Sequence, residues 1–405
     1  MAFKIVTLLG SSSGRNAGDA ALMSGIMEAV DEACGERLLY EIPTIKPSYV
    51  RNHYQNCRTK AVPMLPWNLS IKMLGLPTYR SIMRADLILI FDAILFDRAL
   101  YNPLFNFMLT LNLLLPMAKR KGKCIAYYDV GIGPVNTPRG KSMLRGLSDM
   151  MDFAAVRDQA SYDILHDIGS TNPYTFIAAD AALNVGASSD ENARAIFAKL
   201  GLDPDKEILG INVNTYIDTW AGPHVTPMGK EKFVSTYAAA ISKVYEKLKV
   251  PILLVSTQHA DVSITKEVMN RLCGVDKVAM VTNVEYDHYD IKAVFSKLSL
   301  LFAMRLHSMI LASSEYVPIV GLAYQPKIHH YFENLGLSDY SMDFGDFSES
   351  AIIDKVLNAW GQRDMLRSHL EKNIPRLKAE ARKPAEIIAA MHKGETLDSA
   401  FSRII

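Results

Sequence analysis

The chain has 405 residues, 49% hydrophobic and 21% charged, the balance of a globular protein long enough for two or three domains. Lys and Arg number 44 and Asp and Glu 43, a formal charge of +1, which argues against a broad nucleic-acid surface because that needs a basic excess to displace counterions. The four cysteines, Cys34, Cys57, Cys124 and Cys273, form no closely spaced pair, so a disulfide framework or zinc ribbon is not expected and a reducing compartment is.

Residues 1–10 (MAFKIVTLLG) lack the longer apolar core and small-residue cleavage site of a secretory signal, and read as an opening strand of a cytoplasmic protein. The pattern then predicts a strand over 3–9, a helix over 19–34, and strands over 38–42, 85–90 and 124–128. Weaker strand patterns lie at 154–156 and 174–177. A second series follows, with strands at 207–213, 250–256, 277–281, 298–303 and 317–322. Helices with apolar positions at 3.6-residue spacing fall at 231–247 and 263–272. Beyond about residue 354 the chain reads as helical. Such alternation predicts parallel sheets covered by helices on both faces. The expected fold class is α/β, with two Rossmann-like domains over 1–184 and 185–370 and a helical tail over 371–405.

The most apolar stretch, 103–117, is followed by Lys119, Arg120, Lys121 and Lys123. It is shorter than the roughly 20 residues that span a bilayer, and Asn106 and Asn112 interrupt it. A helix buried against the sheet is expected. The alternative is peripheral membrane contact, with the basic end against anionic headgroups.

Three groups of residues carry chemistry. The first is the glycine-rich turn Gly10, Gly14, Gly18 with Asn16 and Asp19, between a strand and a helix. Glycines permit a tight turn and bring N–H groups near a ligand, and the helix N-terminus favours an anion. The spacing matches neither the dinucleotide fingerprint nor the P-loop, which argues against both. A plainer reading has Asp19 capping the helix. The second is Arg305, His307 and Ser308, directly after a strand, with Tyr324 and Lys327 one strand later. Ligands of open α/β sheets bind outside the carboxyl ends of strands, a guanidinium forks onto carboxylate or phosphate, and imidazole moves protons near neutrality. The third is Arg157 with Asp158 and Ser161, otherwise an ordinary helix start.

Taken together and in order, Asn16, Gly18, Asp19 and Leu22 (NAGDAAL), Gly131, Gly133 and Pro134 (GIGP), Val156, Arg157, Asp158 and Ser161, Asp180 to Ala182, RLHS at 305–308 and YQPK at 324–327 resemble the polysaccharide pyruvyltransferase family. The resemblance spans roughly residues 3–340. It implies a glycosyltransferase-B-like arrangement of the two domains with an interdomain cleft. It also implies transfer of a pyruvyl group from phosphoenolpyruvate to two hydroxyls of a sugar, as a cyclic ketal, with release of phosphate. By motif, Arg157, Arg305 and Lys327 hold the donor's carboxylate and phosphate, and His307 is the acid–base residue beside Arg305. Asn16, Gly18, Asp19, Ser308 and Tyr324 complete the expected binding set. No metal or other cofactor is needed, because the cations balance the anion. The implied acceptor is a sugar or a lipid-linked saccharide, on the inner face of the membrane if the protein is peripheral to it. The chain departs from the family at 91–97 (FDAILFD), where many members carry a glycine cluster.

Other residues offer weaker signals. His259, Asp261, Asp287, His288 and Asp290 are metal-ligand types without a standard spacing. Asn212, Asn214, Trp220, Gln258 and His259 are possible sugar contacts at strand ends. Two other functions fit the same scaffold: a nucleotide-sugar-dependent glycosyltransferase, and a non-catalytic sugar or phosphate binder.

Overall fold

The computed structural model describes residues 2–54, 56–64, 76–101, 106–215 and 228–405. Contacts divide the chain into two units. One comprises 1–14, 19–185 and 377–405, and the other 15–18 and 186–376.

In the first unit, apolar runs such as LILI at 87–90 and CIAYYDV at 124–130 are buried along their whole length, the mark of strands covered on both faces. The strands β1 (Ile5–Leu9), β2 (Leu39–Thr44), β3 (Arg58–Pro63), β4 (Leu87–Ile90), β5 (Cys124–Val130), β6 (Phe153–Val156) and β7 (Thr175–Ile177) form a parallel sheet in the order 3-2-1-4-5-6-7. Val6 lies between Tyr40 on one side and Leu87 on the other, so β1 sits where the strand order reverses.

The second unit repeats the plan. Its strands β8 (Leu209–Asn212), β9 (Ile252–Ser256), β10 (Val278–Thr282), β11 (Leu300–Ala303), β12 (Ile319–Ala323) and β13 (Ser341–Asp343) are parallel, in the order 10-9-8-11-12-13. The order reverses at β8, which pairs with β9 and with β11. In sheets of this kind the crevice beyond the strand ends at the reversal is where ligands bind. In the second unit the residues just past β8, β9, β11 and β12 occupy that edge.

The structure adds elements that the pattern does not announce. Pro47–His53 is a helix, and β3 is an edge strand of sequence RTKAVP with alternating exposure, too polar to read as a strand. The residues set apart as a tail do not stand alone: 377–405 group with the first unit. The helix Arg363–His392 is followed by Leu397–Ile404, where Phe401 lies edge-on to the rings of Tyr174 and Phe176 at 5.2 and 5.7 Å. The apolar stretch forms the helix Met108–Arg120. Met108, Leu111, Leu115 and Ala118 pack into the core of the first unit; residues 103–105 lie outside the described residues.

Candidate active site

Arg305 follows β11, and its guanidinium is gripped from below. Nε and one terminal nitrogen donate to the two oxygens of Asp261, each at 2.8 Å. Asp261 is fully buried and also accepts the Thr215 N–H at 3.0 Å. Asn212, at the end of β8, accepts the Arg305 backbone N–H at 3.0 Å and donates its amide to the Val255 carbonyl at 2.8 Å. Two strand ends therefore fix one arginine, through its backbone and through its fork. A paired guanidinium of this kind keeps its planar orientation before any anion arrives. Asp261 had the look of a metal-ligand type, and Asn212 of a sugar contact; both serve Arg305 instead.

His307 is two residues on, half-buried in the first turn of the helix Leu306–Ser313. Its neighbour Ser308 is buried, with its hydroxyl 3.0 Å from that of Thr257. That contact anchors the turn rather than offering a free hydroxyl. Residues 15–18 complete this edge. The Ala17 N–H donates to Thr257 O at 2.8 Å, the His259 N–H donates to Arg15 O at 2.9 Å, and Asn16 bridges to Gln258. The Asn283 amide, past β10, also donates to Arg15 O at 3.1 Å. Gly18 is held so close to the imidazole that a β-carbon there would overlap His307 Cβ, Cγ and Nδ1.

The glycine turn thus has a different purpose from a phosphate cradle. A ring lies on each of its three glycines: Phe91 on Gly10, Tyr49 on Gly14 and His307 on Gly18. The helix Ala17–Cys34 takes its cap from Asn16, whose side-chain oxygen accepts the Gly18 N–H at 2.9 Å, and Asp19 is half-buried in the first turn. Asp19 groups with the first unit.

Lys327 is half-buried in the first turn of the helix Pro326–Leu335, and Tyr324 is half-buried just past β12. Since β12 pairs with β11, Arg305, His307 and Lys327 issue from adjacent strand ends of one sheet.

In the first unit the remaining motifs interlock around Arg157, at the end of β6. Its guanidinium lies over Gly131, donates to Asp180 at 3.3 Å and approaches Asp158 at 3.9 Å. Asp158 caps the helix Gln159–Asp167 through the Ser161 N–H, and the Ser161 hydroxyl accepts the Ile132 N–H at 2.9 Å. Arg157 is 8% exposed, and its Nε is buried without a hydrogen-bond partner, so the fork retains donor capacity. Burial works against its charge, but Asp180, Asp158 and Asp92 outweigh that and hold it protonated.

Asp129, which the sequence did not single out, is fully buried in β5 at φ 56, beside a register shift of the strand. Its carboxylate accepts the Ala181 N–H. Burial, reinforced by Asp180, pushes its pKa well above the carboxylate range. A group raised in this way destabilises the fold as pH climbs past its unfolded value of about 3.9. Asp129→Asn is therefore expected to raise the thermal midpoint at about pH 7, with a gap to wild type that narrows as pH falls toward 4. Melting curves across that range check it.

At 91–97, Phe91 is buried and Asp92 sits at φ 71, the left-handed conformation that glycine takes most easily. Asp97 accepts the Asn136 N–H at 2.8 Å and holds the loop before the helix Pro138–Met150. Asp287 caps the helix His288–Phe295, and Asp290 accepts a hydrogen bond from Ser188. Trp220 lies outside the described residues. Among the described residues no helix is long and apolar enough to cross a membrane.

Comparison with known proteins adds three findings. The family model described as polysaccharide pyruvyl transferase matches residues 16–326. No curated protein matches the sequence. Among solved structures, a Listeria monocytogenes protein assigned as a UDP-N-acetylglucosamine 2-epimerase matches with TM-score 0.68 at 13% identity, over 98% of each chain. The Neisseria meningitidis UDP-GlcNAc 2-epimerase bound to UDP-GlcNAc gives 0.64 at 10% identity, over 96% of this chain and 100% of that one. The Escherichia coli ADP-heptose lipopolysaccharide heptosyltransferase II gives 0.52 at 12%, over 89% and 99%. At such identities the likeness establishes the fold class, α/β and glycosyltransferase-B-like, as expected from the sequence.

Proposed function

Because the chain belongs to the polysaccharide pyruvyl transferase family, we propose that it moves the pyruvyl group of phosphoenolpyruvate onto two hydroxyls of a sugar or polysaccharide precursor, forming a cyclic ketal and releasing phosphate. The observation that carries this reading is the set Arg305, His307 and Lys327 past the adjacent strands β11 and β12, with β11 beside β8, where the second sheet reverses its order. Two cations and an imidazole suit a small molecule bearing both a carboxylate and a phosphate. Gly18, Asn16 and Ser308 position His307, and Tyr324 precedes Lys327 past β12; in the first unit, Arg157 and Asp19 are the proposed substrate-binding residues.

The chemistry balances as follows. A proton added to the methylene carbon of phosphoenolpyruvate makes a methyl group and leaves C2 with oxocarbenium character. One sugar hydroxyl forms a C–O bond to C2 and loses its proton. The second hydroxyl forms the other C–O bond, loses its proton, and the C–O bond to phosphate breaks. One proton enters carbon and two leave oxygen; the surplus departs with phosphate. His307 is the group that carries these protons, and Arg305 and Lys327 steady the leaving phosphate. A cytoplasmic site, where phosphoenolpyruvate is made, fits this reaction.

Incubating the protein with phosphoenolpyruvate and a panel of saccharides is expected to release phosphate and add a pyruvyl ketal, read as a mass increase on the acceptor. The similar structures are of enzymes named for nucleotide sugars, so calorimetry with UDP-sugars is the control. Tight nucleotide binding with no phosphoenolpyruvate binding reverses the proposal in favour of a glycosyltransferase. Binding of phosphoenolpyruvate without turnover on any acceptor favours a non-catalytic binder.

A further inference from the structure

We propose that the solvent face of the helix Met108–Arg120 docks on an anionic lipid membrane. One face of this helix is spent on the core through Met108, Leu111, Leu115 and Ala118. An amphipathic helix would turn polar residues the other way. Here Leu113 is 53% exposed and Met117, one turn on, 37% exposed. Scattered exposed apolar residues need no explanation, but these two share a stripe, and the stripe runs into cations. Arg120 lies on the same face one turn further, and Lys121 and Lys123 follow. Lys119 is already committed to Asp152 at 2.8 Å, so the outward charge comes from the other three.

Charge complementarity selects the occupant. The whole chain carries a formal charge of +1, yet three of its cations gather within four residues at the end of this stripe. Apolar side chains inserting at the acyl boundary, with basic residues at headgroup level, are the two elements of interfacial helix binding. At 13 residues the helix is too short to cross a bilayer of roughly 30 Å, so it lies in the plane of the surface. Docking there brings the protein to the surface where lipid-linked saccharides reside, which extends the proposed function without depending on it.

The test is co-sedimentation of the full chain with vesicles of phosphatidylglycerol and phosphatidylcholine, against vesicles of phosphatidylcholine alone. The expected result is binding to the anionic vesicles that weakens at high salt. Leu113→Glu with Met117→Glu, and separately Lys121→Glu with Lys123→Glu, are each expected to cut the bound fraction about tenfold, at unchanged circular dichroism. Leu113→Ser with Met117→Ser serves if the glutamates disturb folding. Failure of wild type to bind anionic vesicles overturns the proposal. So does equal binding to both vesicle types, binding unmoved by the substitutions, or a concentration-dependent dimer that the substitutions abolish without any vesicle binding. Turnover on a soluble acceptor is read in parallel, since it reports on the proposed chemistry and not on docking.

Discussion

Replacing His307 by alanine is expected to lower pyruvyl transfer about 10²–10⁴-fold while phosphoenolpyruvate still binds. In the proposed site the affinity should survive, because the cations assigned to the anion remain and only the imidazole that carries the protons is lost. A second variant separates geometry from chemistry. Gly18→Ala changes no charge and places a better helix former at a residue whose φ is ordinary, a gain of about 1 kcal/mol in propensity. Its β-carbon, however, would occupy space held by the imidazole. The ring must swing away, so turnover should fall with phosphoenolpyruvate affinity nearly kept. Rates of phosphate release, calorimetric affinities and melting temperatures distinguish these effects. Wild-type turnover in Gly18→Ala would show that the position of the imidazole does not matter.

The other large effect is expected at Asp261. Its carboxylate is fully buried, and its two bonds to Arg305 are the reason a guanidinium can stand at a strand end with little exposure. Asp261→Ala leaves that charge without its counter-ion and strips an acceptor from the Thr215 N–H. Breaking a buried pair in this way costs about 3–5 kcal/mol, enough to lower the melting temperature plainly. Asp261→Asn keeps the shape and one acceptor, and should fold. In that variant the guanidinium is less fixed but more positive toward an anion. The expected kinetics are a fall in kcat with KM for phosphoenolpyruvate unchanged or lowered. A rise in KM at constant kcat would instead assign Asp261 to substrate binding.

Much of this could be read in the sequence because it is local. β4 and β5 are unbroken apolar runs, and the helix Lys230–Leu248 repeats its apolar positions at helical spacing, so their kind was plain. β3 and β13 were not legible, since an edge strand needs neither an apolar run nor length. Arg305 and His307 stood out because a short motif follows a strand directly. Asp261 stood out only as a metal-ligand type and not as the partner of Arg305: 44 residues separate the two, and only the sheet order, with β8 between β9 and β11, brings the strand ends together. The glycine turn was misleading for a related reason. Its spacing says that something must come close to the backbone, but whether that is a phosphate or a ring of the chain itself is decided by residues 35 to 289 positions away.

The ring of Phe91 has a wider consequence. It rests on Gly10 at the place where the first sheet changes direction, the customary berth for the diphosphate of a dinucleotide. To seat such a ligand there, the protein would have to expel an aromatic side chain that has no exposed surface. Two sheets of one plan thus differ at their reversal points: an aromatic ring fills the position in the first, and charged side chains line the edge of the second.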